Sequence, residues 1–159
     1  MKDPLEKAAL ERVVDDERMA FDGTVLQPLD EAVLDAVVDR IVAGGYESVA
    51  VGLLHAYANS AHERTVRDHI AERAPDVLVS LSSDVSPKFR EYERISTTVA
   101  NSYIKPVVTR YLGHLQDALA ARGFRNDLFI MQSNGGLVSP DFAREYPIRI
   151  VESGPAAGV

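Results

Sequence analysis

Two short apolar runs, set apart by a polar helical stretch, limit the architecture of this chain more than any other feature. Ser48-Val49-Ala50-Val51-Gly52-Leu53-Leu54 is apolar at nearly every position, and Val77-Leu78-Val79-Ser80-Leu81 follows it. A strand that is apolar on both sides is covered on both faces, as in a parallel sheet. Parallel neighbours need a crossover, and residues 60–73 have the length and polarity of the connecting helix. Such a crossover is right-handed. The expected class is therefore α/β, a mixed or parallel sheet with flanking helices.

The remaining elements follow from local signals. Residues 11–19 fit either a strand or a helix, and Phe21-Asp22-Gly23 marks a turn. Asp30 caps a helix over residues 31–43, where Val33, Leu34, Val37, Val38, Ile41 and Val42 form one stripe. Gly44-Gly45 ends it. Ser86 and Pro87 open the longest helix, which reaches Arg122 before Gly123. Pro106 lies inside it and should kink or break it, because its ring clashes with the preceding turn. Its second half carries the apolar positions Val107, Val108, Tyr111, Leu112, Leu115 and Leu119. Asp127–Gln132 reads as a strand, Asn134-Gly135 as a hairpin turn, and Gly136-Leu137-Val138 as the return strand. A helical turn from Pro140 and a strand at Ile148–Val151 complete the chain. A division is expected near residues 74–86, separating 1–80 from 81–159, with the Gly123 turn as the other option.

Charge and composition exclude several functions. The net charge is −7, which opposes binding to nucleic-acid phosphates or an anionic membrane surface. There are no cysteines, so disulfides, thiolate nucleophiles and Cys-ligated zinc are ruled out. No apolar run approaches the roughly 20 residues of a membrane span. The first residues lack the apolar core of a signal peptide, so a cytoplasmic location is expected. The last residues, Glu152-Ser153-Gly154-Pro155-Ala156-Ala157-Gly158-Val159, look like a helix cut in its first turn.

Four constellations carry chemical potential. Gln132-Ser133-Asn134-Gly135-Gly136 ends a strand-like run. Its spacing fits a tight hairpin before it fits a loop whose bare amides approach a phosphate or base. Glu152–Gly158 fits equally a helix N-terminus that attracts anions and a small-residue packing contact. Glu91, Arg94, Thr98, Asn101 and Lys105 recur at three- and four-residue spacing on one helix face. That face is either solvated or lines a cleft, and the poor helix formers Thr97, Thr98 and Asn101 favour the cleft. His55 follows the strand over 48–54, where a side chain can meet a ligand. His62 and His69 lie two helical turns apart, too far for a shared metal, and no metal site is expected.

Three stretches together resemble the hydantoinase A/5-oxoprolinase family, which includes N-methylhydantoinase A and the acetone carboxylase beta subunit. They are Leu54-His55-Ala56-Tyr57-Ala58-Asn59 with His62-Glu63; Arg90–Tyr103; and Met131–Gly136 with Glu152–Gly158. The resemblance runs from about Arg12 onward and leaves the first ten residues unmatched. It implies part of an actin-like ATPase fold, with residues 1–80 from the end of the family's N-terminal domain and 81–159 from the start of its main domain. It also implies ATP with Mg as cofactors, a cyclic amide or ketone as substrate, and a hydantoinase B-type partner subunit.

The family's two Asp-Gly-Gly-Thr phosphate loops do not occur in this sequence. The chain is therefore expected to be inactive alone, without nucleotide bound, and to contribute part of a cleft wall. By position, Ser133, Asn134, Gly135, Gly136, Ser153, Gly154 and Gly158 would lie nearest nucleotide or substrate. Glu91, Arg94, Thr97, Thr98 and Asn101 are the next candidates. A non-catalytic scaffold for a partner subunit, and a small stand-alone nucleotide binder, are the competing readings.

Overall fold

A computed structural model describes residues 17–158. Its middle elements alternate between helix and strand, but among the described residues the strands pair only two by two. β1 (Arg18–Met19) and β2 (Val25–Gln27) form an antiparallel hairpin. β3 (Ser48–Val51) and β4 (Leu78–Leu81) pair in parallel, in the register Ser48↔Leu78 to Val51↔Leu81. β5 (Ile130–Met131) and β6 (Leu137–Val138) form a second hairpin. Among the described residues, three small sheets thus stand where one mixed or parallel sheet was expected from sequence. The helices are α1 (Glu31–Gly44), α2 (Ala61–Arg73), α3 (Ser82–Val85), α4 (Glu91–Ala121), α5 (Pro140–Glu145) and α6 (Ser153–Ala157).

The chain divides into two compact units, residues 1–99 and 100–159. In the first, the core is built as the apolar pattern dictates. Leu34, Val38 and Ile41 of α1 pack with Val66 and Ile70 of α2, and with Val51 and Leu81 at the ends of the parallel strands. Ile70 is fully buried, while Val42, at the edge of the α1 stripe, is exposed. The Asp30 carboxylate accepts from Ala32 N at 2.8 Å, and Gly45 closes α1 at φ +63. That left-handed conformation is why glycine stands there.

The β1–β2 turn is tied down at both ends. Asp22 accepts from the Thr24 amide at 3.0 Å, and this bond holds its carboxyl below the ordinary value of 3.8. Gly23 takes φ +86, and its carbonyl accepts from Asn59 Nδ2 at 2.9 Å.

α4 runs through Pro106 without a break, so the proline removes one ladder hydrogen bond without ending the helix. The other departure lies at residues 148–151. A 3-10 turn over Pro147–Arg149 stands where a strand was expected. Ile150 N donates back to Pro147 O at 3.0 Å, and Ile148 N is taken by the Asn101 side chain at 3.2 Å. With these donors already engaged, no ladder can form.

Candidate functional site

The first unit gathers its polar side chains at the carboxyl ends of β3 and β4, the edge of a parallel pair where ligands are usually met. Glu63, in the first turn of α2, is fully buried. Its Oε1 accepts from Leu53 N at 3.0 Å and from Ser82 Oγ at 2.6 Å, and its Oε2 accepts from Ser83 N at 2.9 Å. One carboxylate therefore joins the loop after β3 to the first turn of α3, which follows β4. Arg94, also fully buried, reaches the same place from α4. Its Nη2 donates to Leu53 O at 2.6 Å and its Nη1 to Lys88 O at 3.4 Å. Both main-chain polar groups of Leu53 are thus held by buried charged side chains. Gly52 permits the approach, because a Cβ there would lie 3.0 Å from Ile95 Cγ1.

His55 follows in the left-handed conformation, at φ +56, an uncommon state for a residue with a Cβ. Its Nδ1 lies 3.3 Å from Tyr57 Oη and 3.9 Å from Glu91 Oε1. The Arg94 guanidinium stands 5.5 Å from the Tyr57 ring centroid and 3.8 Å from Glu91 Oε1. Three buried polar atoms here, Ser83 Oγ, Glu91 Oε1 and Arg94 Nε, have no hydrogen-bond partner. Buried polar groups are rarely left so, and an exception calls for an explanation.

The α4 stripe expected at the site packs inward. Arg94, Thr98, Asn101 and Lys105 are all buried, which corrects the solvated-face reading. The Thr97 and Thr98 hydroxyls donate to Glu93 O at 2.6 Å and Arg94 O at 2.7 Å, one turn back on their own helix.

Within the second unit, Asn101 and Lys105 brace the segment after α5. Asn101 Nδ2 donates to Glu145 O at 3.2 Å, and Lys105 Nζ pairs with Glu145 Oε1 at 2.7 Å. The braced segment in turn supports the glycine-rich loop. Ser133 N donates to Arg149 O at 2.8 Å, and Ser133 Oγ accepts from Glu152 N at 3.1 Å. The two glycine-rich segments singled out by sequence, 132–136 and 152–158, therefore lie against each other. Gln132 N donates to Gly136 O at 2.7 Å across the expected hairpin, with Gly135 at φ +87. Beyond the adjoining residues and the local helix backbone, no atom lies within 4 Å of where a Cβ would stand on Gly135 or Gly154, whereas Gly158 faces Gly154 O at 3.7 Å. Ser133, Asn134, Gly135, Gly136, Gly154 and Gly158 are exposed and Ser153 is half-buried.

Sequence reasoning passed over Glu63 and Tyr57 as site residues. Ser60-Ala61-His62-Glu63 spells an ordinary capping box, which conceals Glu63. In the fold Ser60 makes no side-chain cap, and Glu63 turns to the segments after β3 and β4. His62 and His69 are each engaged by a carboxylate, Glu17 at 2.6 Å and Asp35 at 2.9 Å. Among the described residues no group of three acidic or histidine side chains is arranged to hold a metal ion, and no helix is long and apolar enough to cross a membrane.

Comparison with known proteins places these elements in a wider setting. Residues 4–74 match the hydantoinase/oxoprolinase N-terminal region, and residues 94–159 match hydantoinase/oxoprolinase. An uncharacterized protein of Methanocaldococcus jannaschii is 40% identical over 143 residues, which is 90% of this chain and 21% of that protein. The caprolactamase alpha subunit of Pseudomonas jessenii is 34% identical over 140 residues, 88% of this chain and 20% of its own length. The 5-oxoprolinase of Saccharomyces cerevisiae is 36% identical over 135 residues, 85% of this chain and 10% of its own length. Among solved structures, the ATP-dependent caprolactamase of Pseudomonas jessenii superposes with a TM-score of 0.82 at 34% identity. Nucleotide-free acetone carboxylase gives 0.76 at 31% identity; each structure covers 89% of this chain, and the chain covers 20% of each. This chain spans about a fifth or less of these relatives' lengths, and it belongs to the hydantoinase/oxoprolinase family.

Proposed function

We propose that the chain is a segment of a cytoplasmic, ATP-dependent enzyme with an actin-like fold that opens a cyclic amide, and that it is inactive alone. The observation that carries this reading is the joining of the two glycine-rich segments through Ser133, Arg149 and Glu152. Bare glycines beside open space let a nucleotide or a flat amide come close to main-chain amides. In this reading Ser133, Asn134, Gly135, Gly136, Ser153, Gly154 and Gly158 form one wall of the cleft, and Asn101 holds that wall in place. Residues 1–80 would belong to the family's N-terminal domain and 81–159 to its main domain. ATP with Mg would supply the phosphoryl group that activates the amide carbonyl. The open space beyond Gly135 and Gly154 fits close approach of such a group, but the sequence holds neither Asp-Gly-Gly-Thr loop to grip its phosphates. Most charge-assisted contacts to the nucleotide must then come from elsewhere in the enzyme.

The relatives' names support the substrate class and the subunit organisation: caprolactamase subunit alpha, 5-oxoprolinase and acetone carboxylase beta subunit. A hydantoinase B-type subunit is the proposed partner. The test is ADP release from ATP by this chain joined to the segments its relatives carry on either side, together with that subunit. Release should depend on one of 5-oxoproline, caprolactam or hydantoin. Release that no cyclic amide stimulates, with acetone and bicarbonate active instead, would move the assignment to a ketone carboxylase. No substrate-dependent release at all would end both.

A second reading has its own observation. α4 exposes Tyr103, Val107 and Tyr111, spaced four residues apart on one face. A stripe of this kind is what a non-catalytic scaffold would offer a partner subunit. Retained partner binding without substrate-dependent ADP release would favour it.

A further inference from the structure

The His55 imidazole is held by its surroundings on one side and open on the other. Its Nδ1 faces Tyr57 Oη and the Glu91 carboxylate, with Arg94 behind both. A carboxylate beside Nδ1 favours the proton there, which leaves the lone pair on Nε2. Nε2 makes no hydrogen bond with a described residue, and the side chain keeps 31% of its surface exposed. The residue also carries backbone strain at φ +56, in a loop that Glu63 and Arg94 clamp from two helices. Strain of this kind persists where a structure over-determines it, commonly at ligand sites.

The chemistry of a ligand follows from what the cluster lacks. Nε2 offers a lone pair on the open side of the ring, while Glu91 Oε1 lies buried on the Nδ1 side. A lone pair on the open side of the ring selects a ligand that donates a hydrogen bond. We propose that His55 Nε2 accepts the N–H of a secondary cyclic amide, so that His55 is a substrate-recognition residue distinguishing lactams with a free N–H from N-alkylated ones. Glu91 and Tyr57 act as positioning residues that fix its tautomer. The lactam identity rests on the amide reading above; the hydrogen-bond polarity rests on the cluster alone.

The test uses nitrogen NMR of the four imidazoles in the chain, with 2-pyrrolidone as probe and N-methyl-2-pyrrolidone as its donor-free control. The His55 Nε2 resonance should shift saturably with the first and stay with the second, while His62, His69 and His114 stay with both. His55→Asn keeps a side chain that tolerates φ > 0, so its melting temperature should be unchanged or higher while the probe response disappears. Equal shifts with both probes, no shift with either, or a lower melting temperature for His55→Asn would overturn the proposal. Lactam-dependent ADP release without a His55 response would sink this inference alone. A His55 response in an enzyme that releases no ADP with lactams would sink the amide-opening reading and spare the recognition role.

Discussion

Leu53 shows how much of this fold rests on single buried charges. Its amide and carbonyl are held by Glu63 and Arg94 respectively, and neither partner is exposed. Glu63→Ala would strand Leu53 N, Ser83 N and Ser82 Oγ, and the expected loss is about 3 kcal/mol or more in denaturant unfolding. A loss below about 0.5 kcal/mol would mean water replaces the carboxylate. Arg94→Lys keeps the charge but cannot span Leu53 O and Lys88 O with one planar fork, so a loss of roughly 2 kcal/mol is expected from the same measurement. Asp22 provides a pH test. Because the Thr24 amide lowers its carboxyl's affinity for a proton, the bond stabilises the folded turn above the unfolded value and is lost as pH falls through the lower folded one. Thr24 amide shifts should therefore titrate below pH 3.8; a transition above that value would reverse the sign. The grip of Glu63 and Arg94 on Leu53 was not legible in the sequence, since a side chain reaching a distant main-chain group leaves no local pattern, whereas Asp22 bonds two residues away inside a turn the sequence marks.

Among the elements, α1, β3, α2 and β4 were legible because burial and periodicity agree there. Leu34, Val38 and Ile41 fall on one helical face, and the two apolar runs are covered by α1 and α2. The hairpin at Asn134-Gly135 was equally plain, since its turn needs a left-handed residue and Gly135 takes φ +87. Ile148–Val151 misled because its β-branched residues have strand propensity, yet Asn101 takes the Ile148 amide from 47 residues away. Tertiary bonding overrides propensity in such cases. Asn101→Ala should free both Ile148 N and Glu145 O, costing roughly 2 kcal/mol. It should also speed amide exchange at Ser133 and Glu152, which depend on the braced segment. Unchanged exchange at those two amides would show that the loop stands without the brace.

At the scale of the whole molecule, the two compact units contribute different things to the proposed enzyme. The first presents an oriented polar cluster at the end of a parallel pair, and the second a double glycine-rich wall. The wall was partly legible, because its glycines are adjacent in sequence; its assembly through Ser133 and Glu152 was not, because it depends on bonds spanning 19 residues. Neither unit supplies the Asp-Gly-Gly-Thr loops of the wider family, so the nucleotide's charged tail should find few of its contacts here. Calorimetric titration of the 159-residue chain with Mg·ATP measures this directly. No saturable heat is expected below roughly 1 mM ATP. A saturable isotherm in the micromolar range, with one nucleotide per chain, would contradict it and make the segment a nucleotide-binding protein in its own right.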